Sequence, residues 1–251
     1  MARITIRRQM SLAENYDDLC VKVVNTILTS CREAIKQRGR FTLVLSGGLT
    51  PKGIYSLMAA PAYRDCFDWK KMHFFLGDER WVPVDGPRSN YKMIVDALIS
   101  KTDIPPSNVH AVNTATLDVK QSASLYEEDL IKFFSLKPNE WPVFDLILLG
   151  LGEDGHTASL FPNQPALEDT KALVLAVDAK GIAEKRITMT LPVINHARRI
   201  VFLVNGVDKA EVLKKVWEEN AQGCLPAGRV DAGPRTWWFV DKAAASLLGK
   251  T

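Results

Sequence analysis

Apolar residues at Leu19, Val23, Ile27, Cys31 and Ile35 recur at every fourth position, which lines them up along one side of a helix. The pattern predicts an amphipathic helix from about Glu14 to Arg38, ended by Gly39, a residue suited to a left-handed C-terminal cap. The run from Phe41 to Leu45 is short and rich in β-formers. It leads into Ser46-Gly47-Gly48-Leu49-Thr50-Pro51, where Pro51 is placed for a helix's first turn. This sequence of strand, polar loop and helix then returns. The run from Lys71 to Leu76 enters Gly77-Asp78-Glu79-Arg80. The run from Val143 to Leu149, apolar except for Asp145, enters a loop containing Gly152, Asp154, Gly155 and His156. Nearly continuous apolar runs suit parallel strands buried on both faces. The alternation continues through Leu173 to Val177, Arg186 to Leu191 and Arg199 to Val204. A helix from Asp208 to about Glu219, a strand from Trp237 to Val240 and a last helix complete it.

These elements predict an α/β fold, a modified doubly wound (Rossmann-like), mostly parallel sheet with helices on both faces, formed by residues 1–251 as a single domain. The Gly- and Pro-rich stretch from Gly223 to Pro234 reads as a surface loop and not a domain boundary. Parallel strands open their following loops on one rim, and ligands of such sheets bind there. The loops after Leu45, Leu76 and Leu149 are therefore expected to meet.

Composition narrows the function classes. Hydrophobic residues at 47% and charged residues at 24% give an ordinary globular balance, which excludes a disordered or fibrous chain. The 32 basic and 29 acidic residues are interspersed, so neither nucleic acid nor a membrane surface is an expected partner. No window approaches the ~20 apolar residues of a membrane span. Met1 to Arg8 alternates charges and lacks the apolar core of a secretory signal, so the default expectation is cytoplasmic. Cys20, Cys31, Cys66 and Cys224 have no C-x-x-C spacing and read as reduced packing residues. No histidine pair has ligand spacing, and no metal is expected.

The Ser46–Thr50 loop suits a phosphate, because two glycines let the backbone approach closely and the following helix aims free N–H groups at it. A purely structural Gly-Gly turn fits the same residues. The loop is neither a Walker loop nor a G-x-G-x-x-G fingerprint, which disfavours a nucleotide. His156 follows a buried strand, and an imidazole titrates near 6.5 when unperturbed, which suits proton transfer. Asp154 is placed to hold the ring. A capping Asp beside a structural His is the plain alternative, and the position past a buried strand weighs toward function. Asp78-Glu79-Arg80 reads as a solvated turn. Arg186 and Lys209 each read as surface cations on local pattern, although an Arg fork matches a phosphate. His73, His110 and His196 read as structural.

Five motifs in order carry a resemblance across nearly the whole chain: Ser46 to Pro51, Gly77 to Pro83 with Ser89-Asn90-Tyr91-Lys92-Met93, Gly150 to Pro162, Arg186 to Thr190, and Asn205 to Ala210. The chain resembles the 6-phosphogluconolactonase family, with the Asp154–Pro162 run the most diagnostic. Leu49 stands where that family often has a smaller residue. The resemblance implies hydrolysis of 6-phospho-D-glucono-1,5-lactone to 6-phospho-D-gluconate, the second step of the oxidative pentose phosphate pathway, without a cofactor. It implies His156 as the acid/base residue, Asp154 as its partner, and Ser46, Gly47, Gly48, Thr50, Asp78, Arg80, Arg186 and Lys209 as substrate-binding. A monomer is expected, with a weak homodimer allowed.

The lactone carbonyl is already electrophilic, so positioning and one proton shuttle suffice to open it without a metal or a covalent nucleophile. Backbone N–H groups of the glycine loops are candidate oxyanion donors. One rival is a glucosamine-6-phosphate deaminase/isomerase, whose pattern after the histidine carries a Glu where this chain has Phe161. The other is a non-catalytic sugar-phosphate sensor, which is disfavoured because no basic helix-turn-helix segment precedes the first strand.

Overall fold

The computed structural model describes residues 9–178, 181, 183–219 and 223–249. In chain order, β1 (Gln9–Ala13) is followed by α1 (Tyr16–Arg38), β2 (Phe41–Leu45), α2 (Leu49–Met58) and the single turn α3 (Pro61–Arg64). Next come β3 (Met72–Leu76), β4 (Asp78–Arg80), α4 (Asn90–Ala97), β5 (Val109–His110), α5 (Val119–Phe134) and β6 (Leu146–Gly150). The last part gives β7 (Val174–Val177), β8 (Arg186–Met189), α6 (Leu191–Asn195), β9 (Ile200–Val204), α7 (Ala210–Lys214), α8 (Pro226–Arg229) and β10 (Thr236–Asp241).

The first helix forms as its pattern predicts. The Asn15 side chain accepts from the Asp18 N–H, Asp17 and Asp18 face the positive end of the helix dipole, and Gly39 closes it at φ 76°. Its stripe of Leu19, Val23, Ile27 and Cys31 is buried.

Seven parallel strands form the main sheet in the order β1-β10-β9-β6-β2-β3-β5. Every residue of β2 and β9 is buried, as expected for strands covered on both faces. From β2 the chain winds to β3 and β5, then returns to β6 on the other side of β2 and winds to β9 and β10. The winding reverses between β2 and β6, which opens a crevice at their carboxyl ends.

Buried Asp145 pins the opposite end of that pair. It accepts from the Thr42 N–H (2.9 Å) and Thr42 Oγ1 (3.0 Å), while its own N–H donates to Thr42 Oγ1 (2.9 Å). Arg38 Nη2 adds an ion pair at 2.8 Å. This polar residue in an apolar run is thus a cross-strand lock, and the strand itself begins at Leu146 rather than Val143.

The structure corrects several expectations. Asp78-Glu79-Arg80 is not a solvated turn: it is β4, and it joins β8 and β7 in a separate antiparallel sheet of order β4-β8-β7. Glu79 is 1% exposed, because its carboxylate accepts from the N–H groups of Arg80, Asn90 and Tyr91 and from Ser89 Oγ. β7 and β8 accordingly leave the main sheet, and Glu127 on α5 accepts from the Leu173 and Val174 N–H groups at the start of β7. The helix expected from Asp208 is a 3₁₀ turn (Val207–Lys209), α7 and a π turn (Lys215–Glu219). The last helix is a 3₁₀ turn (Ala244–Leu247).

The stretch from Gly223 to Pro234 is more than a surface loop, since it holds α8 and buries Ala227 and Val230. Cys20 and Cys31 pack inside, but Cys66 and Cys224 are exposed, and all four are free thiols. Met1 to Arg8 lie outside the described residues. No described helix is long and apolar enough to cross a membrane.

Two stability outcomes follow from this packing. Asp145→Ala strands the Thr42 N–H and a cation, so unfolding free energy is expected to fall by about 3 kcal/mol, read as a lower denaturant midpoint at constant slope. His73 packs against the rings of Phe133 (4.8 Å) and His110 (5.8 Å), with Arg40 stacked on Phe133 and Asp129 paired to His110. Burial first, then the His110 and Arg40 charges, lower the His73 pKa from its ordinary value to about 4. The unfolded chain then binds the extra proton, so this contribution to stability is present above about pH 6.5 and is lost as pH falls toward 4. His73→Phe is expected to flatten the fall of Tm between pH 7 and pH 5, and an unchanged slope would exclude His73 as its source.

Candidate active site

Backbone chemistry at the ends of β2 and β6 sets the site. Where β2 leaves the sheet, the Ser46 N–H donates to the Tyr55 hydroxyl, which in turn donates to the Ser46 carbonyl, both at 2.9 Å. One side chain thereby satisfies both backbone groups of the first loop residue. Tyr16 Oη holds the start of α2 by donating to the Thr50 carbonyl at 2.8 Å. Gly48 caps α2 at φ 106° without a side-chain hydrogen bond, which leaves the first-turn N–H groups and the positive helix end open to an anion. Gly47 has a different reason to be glycine, because a Cβ there would lie 1.8 Å from Asn90 Oδ1.

At the end of β6 the loop closes on itself, with the Gly152 N–H donating to the His156 carbonyl and the Gly155 N–H to the Gly152 carbonyl. Gly155 adopts φ 83°, and its carbonyl accepts from the Ala227 N–H of α8, so the misread Gly- and Pro-rich stretch buttresses the histidine loop. Asp154 Oδ1 takes two donors, the His156 N–H at 3.0 Å and ring Nδ1 at 2.5 Å. With the carboxylate ionised, Nδ1 carries the proton and Nε2 is left as the basic nitrogen. Phe161 packs on the imidazole at 4.7 Å between centroids. Gly152 clears the space beside the ring, since a Cβ there would sit 2.1 Å from Nδ1.

The antiparallel sheet supplies the opposite wall. Asp78, buried, accepts from Ser159 Oγ at 2.7 Å and ties β4 to the histidine loop. Arg80 and Arg186 are directly paired across β4 and β8. Arg80 donates to the Arg88 carbonyl, and Arg186 lies 3.6 Å from Glu184. Burial first, then the Arg80 charge, lower the pKa of the Arg186 guanidinium from its ordinary value. Each keeps a buried Nε without a partner among the described residues. Beside the histidine loop, Lys209 lies 3.9 Å from Glu153 and 3.3 Å from Asp208.

All ten residues expected from the sequence, namely Ser46, Gly47, Gly48, Thr50, Asp78, Arg80, Asp154, His156, Arg186 and Lys209, line one cleft of about 960 Å³. Exposed Leu49 lies at its edge. The sequence reading gave Gly152 and Asn90 no role of their own and used Phe161 only to set the chain apart from a deaminase, although all three line the cleft. Ser89-Asn90 carried a legible helix-start signal, and Ser89 Oγ does cap α4 by accepting from the Lys92 N–H. The contacts of Asn90 with Gly47 and Asp78 arise only in three dimensions. Among the described residues, no group of three or more His, Cys, Asp or Glu could hold a metal.

Over residues 14–238 the sequence matches the family described as glucosamine-6-phosphate isomerases/6-phosphogluconolactonase. The chain belongs to that family. Within the glucosamine-6-phosphate isomerase/6-phosphogluconolactonase family, it is similar to a 6-phosphogluconolactonase of Synechocystis sp., at 40% identity over 96% of this chain and 98% of the relative. The solved 6-phosphogluconolactonase of Thermotoga maritima is 31% identical and superposes with a TM-score of 0.79 over 94% of this chain and all of that one. A monomeric glucosamine-6-phosphate deaminase superposes equally well, at a TM-score of 0.79 over 95% of this chain and 99% of that one, but at 22% identity it shares the fold alone.

The steric role of Gly152 gives a direct test. Gly152→Ala is expected to push the imidazole off Asp154 and to lower kcat by roughly the ~100-fold lower bound of acid–base assistance, with Tm little changed. Unaltered turnover in that variant would show that the imidazole position does not govern the chemistry.

Proposed function

We propose that the cleft hydrolyses 6-phospho-D-glucono-1,5-lactone to 6-phospho-D-gluconate, with His156 as general acid/base and Asp154 as its orienting partner. One observation carries this reading. The Asp154–His156 pair at the end of β6 shares a single cleft with the cations Arg80, Arg186 and Lys209 and with the open start of α2. The near-full-length relative from Synechocystis sp. is named a 6-phosphogluconolactonase, which supports the same activity.

In this mechanism Arg186 and Lys209 hold the phosphate, with Gly47 and Gly48 beside it, and the lactone C1 faces the imidazole. Nε2 removes a proton from water as its oxygen bonds to C1. The tetrahedral intermediate collapses by breaking the bond from C1 to the ring oxygen, which receives the proton from Nε2, and the new carboxylic acid ionises to the product. Asp154 stabilises the imidazolium formed between these events. Acid–base assistance supplies roughly 100- to 10,000-fold, and orientation plus hydrogen bonds to the oxyanion supply the rest. Phe161 occupies the position where the deaminase pattern carries a Glu, so the ring faces a phenyl group and not a second proton carrier.

His156→Ala is expected to lower kcat at least about 100-fold while 6-phosphogluconate still binds, measured against the spontaneous rate with lactone generated in the assay. Near-normal turnover would remove His156 from the mechanism. Arg186→Ala is expected mainly to raise KM, and an unchanged KM would move the phosphate elsewhere.

A further inference from the structure

We propose that Glu184 is a positioning residue for the phosphate end of this site, its carboxylate holding the guanidinium groups of Arg186 and, through Arg88, of Arg80 at the wall of the cleft. The assignment rests on the lactonase reading in taking Arg186 as a phosphate contact, and it adds a residue that acts through that contact.

Arg186 needs such a partner. It is directly paired with Arg80 across β4 and β8, so the two side chains leave the sheet on one face, and both line the cleft. Burial first, then the Arg80 charge, work against the Arg186 cation, while the carboxylates of Asp78, Glu184 and Glu79 work for it. Two of these three are engaged elsewhere: Asp78 accepts from Ser159 Oγ, and Glu79 accepts from three backbone N–H groups and Ser89 Oγ. Glu184 is the carboxylate that reaches ion-pair distance, its Oε2 lying 3.6 Å from Arg186 Nη2.

The same carboxylate pairs with Arg88, in the segment between β4 and α4. The Arg88 carbonyl in turn accepts from Arg80 Nη1 at 2.8 Å. Glu184 thus closes a ring that runs from Arg186 through Glu184 and Arg88 to Arg80, with the strand pairing as its last side. The backbone beside it is fixed, because the Trp81 N–H donates to the Lys185 carbonyl at 2.8 Å. The Glu184 side chain is 11% exposed and that of Arg88 65%, so the carboxylate lies on the inner side of the pair, where solvent screens it little.

A long cation opposed by a like charge otherwise turns its head toward water. A phosphate would then have to order it on binding, at a cost in affinity that a held guanidinium avoids. Glu184 also places a negative charge near the phosphate end. Arg88 balances that charge within the same pair, so the restraint on Arg186 is the larger effect and loss of Glu184 weakens binding.

The test compares the unaltered chain with Glu184→Gln, Arg186→Ala and the double variant, using freshly generated 6-phosphogluconolactone for kcat and KM. Glu184→Gln is expected to raise KM about 10-fold, the scale of one partly buried interaction, with kcat within about 2-fold and Tm little changed. In the Arg186→Ala background the same substitution is expected to change KM less than about 2-fold, because the guanidinium through which it acts is gone. An unchanged KM in Glu184→Gln overturns the assignment. A lowered KM overturns it too, since Glu184 would then act on the phosphate as a repelling charge alone. An equal rise in KM with and without Arg186, or kcat and Tm falling together, assigns Glu184 to the general fold and likewise overturns it. If Glu184→Gln fails to fold, Glu184→Asp, which draws the carboxylate back by one methylene, takes its place with a rise of about 3-fold expected and an unchanged KM as the overturning result. Failure of the unaltered chain to hydrolyse the lactone overturns the lactonase reading instead, and the Kd of inorganic phosphate in the unaltered chain and Glu184→Gln then decides on Glu184, with weaker binding in the variant expected and equal binding overturning it.

Discussion

The pairing of β2 with β6 is the constraint on which the rest of the molecule depends. These two strands are far apart in sequence, they lie at the centre of the parallel sheet, and the two halves of the fold wind away from them in opposite directions. At their amino ends Asp145 and Thr42 exchange side-chain and backbone hydrogen bonds in an interior where an unpaired group is costly. That lock fixes the register, and register decides which loop residues stand at the carboxyl ends. There the strands diverge into loops, and the backbone groups released from the sheet become available to a ligand.

Space is made in this cleft by the absence of side chains as much as by their presence. Gly47 and Gly152 each clear the volume that a neighbouring side chain of the cleft occupies, Asn90 in one case and His156 in the other. The second sheet brings Asp78 and the two arginines to the wall by burying Glu79 under the first turn of α4, where backbone donors offset much of its desolvation. Burial still wins in sign, since the Glu79 pKa is raised above its ordinary value despite those donors. A carboxylate with no contact to substrate in the proposed mechanism thus sets the position of several groups that have one.

Most of the parallel sheet was legible because its strands are apolar runs followed by loops of glycine and polar residues, a pattern governed by local chain chemistry. The same reasoning misread Asp78 to Arg80. Three adjacent charges look solvated in one dimension, and the distant residues Ser89, Asn90 and Tyr91 supply three of the four donors that allow Glu79 to be buried, the fourth being the neighbouring Arg80 N–H. The stretch from Gly223 to Pro234 was misjudged for a related reason, since its Gly and Pro content conceals the contact of Ala227 with Gly155. His156 and Asp154 were readable as a pair because they lie two residues apart, so their hydrogen bond needs little from the fold. The place of Asn90 was not readable, because its partners Gly47, Asp78 and Glu79 come from two other segments.

The direct cross-strand placement of Arg80 and Arg186 has a further consequence. Like charges opposed on neighbouring strands repel, and burial deepens the penalty. Under the proposed seating of the substrate, a phosphate near this pair both attracts the guanidinium groups and relieves their mutual repulsion. A sugar lactone without the phosphate offers no such relief, so under that proposal discrimination in favour of the phosphorylated compound begins in the placing of two cations on neighbouring strands.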